Sequence, residues 1–407
     1  MSNPEYYYAL EEKHGAHNYH PIPVVLEKGE GVHVYDVEGN KYFDFLSGYS
    51  AVNQGHCHPK IVDSFIQQAS RLTLTSRAFY NNRLGEFEKY ITTLFGYDKA
   101  LVMNTGVEAV ETAVKLCRRW AYDVKKTEPD KAKIIVCENN FHGRTGMVIS
   151  FSSDASSYSR FGPLMQGFEI IPYNDLEALE NALKDNNVAG FLVEPIQGEA
   201  GVIIPDDGYL TSAKKLCEDA NVLFIADEIQ TGLCRTGKML CIDHENVKAD
   251  ILILGKALSG GMMPVSVVLA DDEIMLTIKP GEHGSTYGGN PLAAAVAITA
   301  LQVLTDEALC TNAQAMGKLM RDQLNKINSP LIAEVRGKGL LNAIGIDHYD
   351  NHAAWEICLL MKQKGLLAKP THGDKIRLAP PLIINEQQVI EAVNIIKESI
   401  EAFSNHH

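Results

Sequence analysis

Two charged residues stand where apolar runs end. Asp227 closes Val222-Leu-Phe-Ile-Ala-Asp227, and Lys256 follows Asp250-Ile-Leu-Ile-Leu-Gly255, twenty-nine positions on (256 − 227). Such runs predict strands buried on both faces, so the acid and the amine sit at the C-terminal edge of neighbouring strands, where open α/β sheets bind ligands. A solvated surface ion pair explains this poorly, because Lys256 is followed by the crowded small residues Ala257, Ser259, Gly260 and Gly261. A lysine in such a place can have a lowered pKa and act as a Schiff-base amine. An acid opposite it can keep a pyridinium nitrogen protonated.

Two further segments suit an anion. Asn104-Thr105-Gly106-Val107-Glu108-Ala109 lies between a predicted strand and a predicted helix, where free N–H groups and the helix dipole attract phosphate. Gly284-Ser285-Thr286-Tyr287-Gly288-Gly289-Asn290-Pro291 offers hydroxyl donors on a glycine-rich loop. Alone, either loop is weak evidence. Strand-acid, strand-lysine, anion-binding helix start and Ser-Thr loop together point to pyridoxal 5′-phosphate.

The elements that must position these groups are legible as alternation. Near-continuous apolar runs at Lys133–Cys137, Phe168–Pro172, Ala189–Val193, Val222–Ala226, Asp250–Leu254 and Val265–Leu269 alternate with helix-length segments, among them Val107–Tyr122. Lys99-Ala-Leu-Val-Met leads into that helix, and after Pro291 helical patterns dominate, with strand-like Ala343–Ile346 and Lys375–Leu378. The expected class is α/β. Residues 1–50 read as an arm and small strands, 51–291 as a large, mostly parallel sheet domain, and 292–407 as a smaller α+β domain.

Composition narrows the partners. The 407 residues carry 51 acidic and 37 basic side chains, a net charge of −14, which argues against nucleic acid or an anionic membrane. Ala293–Leu304, the richest apolar stretch, is too short to span a bilayer and is expected to be a buried helix. The cysteines, Cys57, Cys117, Cys137, Cys217, Cys234, Cys241, Cys310 and Cys358, lack C-x-x-C spacing and are expected to be reduced and mostly buried. The acidic, tyrosine-rich start has no signal core or arginine-rich amphipathic helix, so a cytoplasmic location is expected, with the mitochondrial matrix as the alternative.

Three motifs are set aside. Gly232-Leu-Cys-Arg-Thr-Gly237-Lys238 matches a phosphate-loop core, but Met239 stands where a magnesium-holding Ser or Thr belongs. His14, His17, His20 and the stretch Gly55-His56-Cys57-His58-Pro59 lack zinc-ligand spacing and read as structural, so no metal is expected. No Gly-x-Ser-x-Gly elbow is present.

From about Gly15 to Ile400 the chain resembles the fold-type-I, class III (ω-amino) aminotransferases, and within them the branch that acts on ornithine. The likeness is carried by Asp227-Glu-Ile-Gln230, the Lys256 segment, Gly15-Ala-His-Asn-Tyr19-His-Pro, Tyr49-Ser-Ala-Val-Asn-Gln-Gly-His-Cys-His-Pro, Val193-Glu194-Pro-Ile-Gln-Gly-Glu199-Ala-Gly and Pro280-Gly-Glu-His-Gly-Ser-Thr-Tyr-Gly-Gly. The resemblance implies a seven-stranded sheet with helices on both faces and a homodimer. It implies that Lys256 carries the cofactor and moves the proton, and that Asp227 holds the ring nitrogen. Gln230 is expected near the ring hydroxyl, Phe141 on the ring face, and Glu194 in support of the ring region. Gly106 and Val107 are expected at the phosphate, joined by Ser285 and Thr286 of the partner subunit. Tyr19, Tyr49, Arg144, Glu199 and Arg377 are expected to shape the substrate pocket. Two departures are Val107, where many members carry Ser or Ala, and Met262-Met263, where members often carry an aromatic.

The implied reaction moves the δ-amino group of L-ornithine to 2-oxoglutarate, giving glutamate and glutamate-5-semialdehyde, which cyclises to pyrroline-5-carboxylate. Acetylornithine or 4-aminobutyrate as donor is the rival reading, and a cofactor-fold protein that binds partners without turnover is a second. One pocket must then take ornithine by its distal amine and glutamate by its α-amine. Arg377 is expected to clamp the α-carboxylate of glutamate and to be masked by Glu199 when ornithine binds, with Arg144 and Tyr19 at the far end. A purely structural ion pair is the alternative.

Overall fold

The computed structural model describes residues 3–347 and 352–406. Three sheets organise it. β1 (Leu26–Glu30), β2 (His33–Asp36) and β3 (Lys41–Asp44) form an antiparallel N-terminal sheet. The large sheet comprises β4 (Lys99–Met103), β5 (Lys133–Cys137), β6 (Phe168–Ile171), β7 (Val188–Val193), β8 (Leu223–Asp227), β9 (Ile251–Leu254) and β10 (Ser266–Ala270), in the order β4-β10-β9-β8-β7-β5-β6. Only β10 runs antiparallel to its neighbours, so the sheet is mostly parallel as expected. β11 (Ile332–Lys338), β12 (Leu341–Ile346), β14 (Lys369–Thr371) and β15 (Lys375–Leu378) make the third sheet, while the two-residue β13 (Leu366–Leu367) pairs in parallel with β3.

The period-2 pleat explains the apolar runs. Phe224, Ala226, Leu252 and Leu254 face one core with the helices Leu84–Phe95, Tyr209–Asp219 and Pro291–Asp306. Leu223, Ile225, Ile251 and Ile253 face a second core with the helix Gly106–Trp120. Helices therefore cover both faces, and strands buried twice need apolar residues at every position. The stretch Ala293–Leu304 is such a covering helix, with ten buried residues in Pro291–Asp306. No single helix among the described residues is long and apolar enough to cross a membrane.

For the division of the chain we propose the three parts 1–50, 51–291 and 292–407; the β3–β13 pairing ties the first of these to the last. The arm contains a helix, Pro4–His14, with no buried residue, so it has no amphipathic signal to read. Met262 and Met263 are half-buried against the first core.

One expectation is corrected. Cys234 and Cys310 are joined as a disulfide across 76 residues, so the cysteines are not all reduced. Their pairing is tertiary, between the loop after β8 and the first turn of the helix Leu309–Leu324, and no local spacing announces it. The other six are free, five of them buried.

Candidate active site

The ends of β8 and β9 deliver Asp227 and Lys256 to one cavity of about 270 Å³, which Gly106, Val107, Phe141, Glu194, Glu199 and Gln230 also line. A larger cleft of about 700 Å³ beside the N-terminal helix is lined by none of these residues. Lys256 follows Gly255 directly and has φ +43°, a conformation that a residue with a side chain adopts at a cost and that recurs at functional sites. Burial lowers the pKa of its amine, opposed by the charges of Glu199 and Asp227.

Asp227 is only 4% exposed. Its Oδ1 accepts the N–H of Ile229 at 3.0 Å, and its Oδ2 lies 2.7 Å from Nδ1 of His142. Burial pulls the His142 pKa down, but the hydrogen bond and charge of Asp227, with Glu194 behind, leave it raised. Sequence reasoning missed His142. Its partner lies 85 residues away, and its only local signal is its place between Phe141 and Gly143. Glu194 accepts the N–H of Phe141 at 2.9 Å, and burial pushes its carboxyl up to about 7.

The helix Gly106–Trp120 begins with a capping box: Thr105 accepts the N–H of Glu108, and Glu108 accepts that of Thr105 at 2.7 Å. The N–H groups of Gly106 and Val107 belong to its first turn, which has no intrahelical acceptors. Ile229, two residues beyond Asp227, lies against the Gly106 backbone.

Beside the cavity, Nη1 of Arg377 on β15 lies 2.6 Å from Oε1 of Glu199, the arginine side chain 3% exposed and the carboxylate 22%. Burial would raise the Glu199 pKa, but Arg377, Lys256 and the hydrogen bonds to it hold it low. Gln230 donates to Glu199 at 2.9 Å and offers its Oε1 to Arg377 at 3.4 Å. Its expected place near a ring hydroxyl is thus shared with the ion pair. The Gln230 amide packs directly on the Gly198 backbone, so a Cβ there, 1.6 Å from its oxygen, would push this amide off the ion pair. The Nε of Arg377 is buried without a hydrogen-bond partner.

The remaining expected residues stand further out. The Tyr49 ring lies 5.1 Å from the Arg377 guanidinium. Arg144 donates to Ser157 at 2.6 Å and stands over the Phe141 ring at 5.4 Å, and Tyr19 is exposed. Ser285 accepts from Asn104 of its own chain at 2.9 Å, and Thr286 is exposed. The phosphate-loop look-alike, Gly232–Lys238, is a series of turns leading into no helix. His56 and His58 pair with Asp44 and Glu307, and no group of three metal-holding side chains occurs among the described residues.

Comparison with known proteins gives a consistent result. The family model of class-III aminotransferases matches residues 14–400. The chain is 62% identical to the mitochondrial ornithine aminotransferase of Rattus norvegicus over 98% of this chain and 91% of that protein. The ornithine aminotransferase structure from Toxoplasma gondii ME49 superposes with a TM-score of 0.98 at 48% identity, covering 100% of this chain and 97% of the other. An acetylornithine aminotransferase structure from Elizabethkingia anophelis gives 0.91 at 58% identity, covering 99% and 100%.

Proposed function

The chain belongs to the class III aminotransferases, a pyridoxal phosphate-dependent family, and we propose that it transfers the δ-amino group of L-ornithine to 2-oxoglutarate by a ping-pong reaction. The observation that carries this reading is the buried Glu199–Arg377 pair at the edge of the Lys256 cavity. A pocket for one substrate has no need of a masked arginine; a pocket that alternates between ornithine and a dicarboxylate does.

The donor set fits pyridoxal 5′-phosphate. The Lys256 amine is held toward its neutral, nucleophilic form, Asp227 offers a buried carboxylate, and the first turn of the helix Gly106–Trp120 leaves N–H groups for an anion. When bound, the cofactor would supply an electron sink that lets a proton move between the substrate carbon and the cofactor carbon. Asp227, steadied by His142 and Ile229, would pair with the ring nitrogen, and Phe141 would cover the ring. Lys256 would carry the proton, because its amine is the base whose affinity burial has reduced toward neutral pH. Gly106 and Val107 would hold the phosphate.

With ornithine, Glu199 keeps Arg377 neutralised beside an apolar methylene, and Tyr19 and Arg144 bind the far carboxylate. With glutamate, the α-carboxylate competes for Arg377, whose Nε has no other partner, and Glu199 swings away. The unaltered chain given ornithine and 2-oxoglutarate should yield trappable pyrroline-5-carboxylate. The 58% likeness to an acetylornithine aminotransferase makes acetylornithine the second donor to assay, and faster turnover of it would replace ornithine in this reading.

The working unit in this proposal is a C2 dimer, in which Ser285 and Thr286 reach the partner's phosphate site. Exposed Phe79, Tyr80 and Tyr287 supply apolar surface for the interface. A fully active monomer in sedimentation would exclude it. For location we propose the cytoplasm, in keeping with five buried free thiols, against the mitochondrial location named for the rat relative; the Cys234–Cys310 disulfide favours neither. Cell fractionation decides between them.

A further inference from the structure

Ser47, Gly48, Tyr49 and Ser50 form one turn of left-handed helix, with φ of +50°, +55°, +59° and +70°. Three of the four carry side chains, and L-residues visit this region as single residues rather than in runs. A conformation of this kind persists only where its surroundings over-determine it, and it clusters at functional sites.

Two residues fix the entry to this turn. Asp44, at the end of β3, accepts the N–H groups of Leu46 and Ser47 with Oδ1 at 2.9 and 2.8 Å. Its Oδ2 lies 2.7 Å from Nε2 of His56. Asp44 is buried, so its second oxygen needs that partner. His56 is itself fixed. Its backbone exchanges hydrogen bonds with Gly31 at 2.8 and 3.1 Å, and its ring fills the space beside Gly29, where any Cβ would come within 2.9 Å. This accounts for His56 in the Gly55–Pro59 stretch, for which the sequence suggests only a structural role. The outcome of the turn is the Tyr49 ring beneath the Arg377 guanidinium.

We propose that Asp44 and His56 are positioning residues for substrate discrimination: together they hold the left-handed turn that sets Tyr49 under Arg377. The proposal rests on the reading of Arg377 and Tyr49 as substrate-binding residues. A guanidinium stacked on an aromatic face is restrained in plane. Releasing Tyr49 frees Arg377 to leave Glu199 for a carboxylate, which favours the glutamate half-reaction over the ornithine one.

A double-mutant cycle tests this, with single-turnover kcat/KM for ornithine and for glutamate as readout and thermal unfolding as control. Tyr49→Ala and Asp44→Asn should each shift the ratio of the two half-reactions toward glutamate by about five-fold or more, and the double variant should shift it no further than Tyr49→Ala alone. Additive shifts in the double variant, or an unshifted ratio in Asp44→Asn, would overturn the positioning role while leaving Tyr49 in the pocket. An unshifted ratio in Tyr49→Ala itself would remove both the pocket reading of Tyr49 and this proposal. If Asp44→Asn does not fold, His56→Ala, which keeps the Asp44 carboxylate, takes its place in the cycle with the same expectations.

Discussion

His142 and Asp227 meet at 2.7 Å with side chains 1% and 4% exposed, a buried pair behind the carboxylate that faces the cavity. A lone carboxylate so buried tends to take up a proton, and a protonated acid cannot hold a ring nitrogen protonated. His142 is the hydrogen-bonded partner that compensates the burial of the Asp227 carboxylate. Replacing it with Phe should loosen cofactor retention and lower kcat/KM about 10- to 100-fold, read by the bound-cofactor absorbance after dialysis and by steady-state rates. The His142 pKa is raised above 6.5, so the pair's contribution is complete below that value and is lost as pH rises through the elevated one. Wild type should therefore lose more stability on the alkaline side than the variant, which lacks this contribution.

Lys256 is the only residue here asked both to anchor and to transfer a proton. Lys256→Ala should reduce ornithine turnover by several orders of magnitude. Near-normal turnover would show that the assignment is wrong.

The strands β8 and β9 were legible because a strand covered on both faces is apolar almost throughout, and the charged residues at the end of β8 and just past β9 mark the sheet edge. The same logic found Lys375–Leu378, yet not β13 or β14, which are two and three residues long and have no period to detect. Pairings between distant segments were closed to sequence. His142 with Asp227, Cys234 with Cys310 and Asp44 with His56 depend on which segments the fold brings together. Arg144, expected to reach substrate, is engaged with Ser157, a contact no motif describes.

Glu228, beside Asp227 in sequence, is fully buried and accepts from the Thr231 hydroxyl and the Ile242 N–H. Burial pushes its carboxyl up to about 7 from 4.5. A raised acid favours its protonated form in the fold, so the stability it contributes is complete below pH 4.5 and is lost as pH rises through about 7. The loss corresponds to about 3 kcal/mol. Glu228→Gln should abolish that decline, measured as denaturant unfolding free energies at pH 5 and pH 8. Parallel curves for the two proteins would refute it.

If Glu199 masks Arg377 only for ornithine, removing the mask should hurt one half-reaction more than the other. Glu199→Ala should raise the glutamate-to-ornithine ratio of kcat/KM by about ten-fold or more, because an unpaired buried arginine then faces ornithine's methylene. Equal slowing of both would reduce Glu199–Arg377 to a structural ion pair.

The Cys234–Cys310 link joins the loop that follows Asp227 and Gln230 to the helix Leu309–Leu324, which packs in the C-terminal part of the chain. Arg235, next to Cys234, is fully buried and donates to Asn53, Leu340 and Pro380, so the loop is already pinned by hydrogen bonds in the folded state. The bond then acts mainly on the unfolded chain. Closing a loop of 76 residues is worth at most about 4.5 kcal/mol in chain entropy. Denatured, unreduced protein should accept six alkyl groups, and eight after treatment with a dithiol. The Cys234→Ala/Cys310→Ala variant should unfold at lower denaturant, by roughly 2–4 kcal/mol, with its half-reaction ratio unchanged because the Arg235 contacts remain. Eight labels without reductant would show the two thiols to be free, and an altered ratio would mean that the link also holds the site.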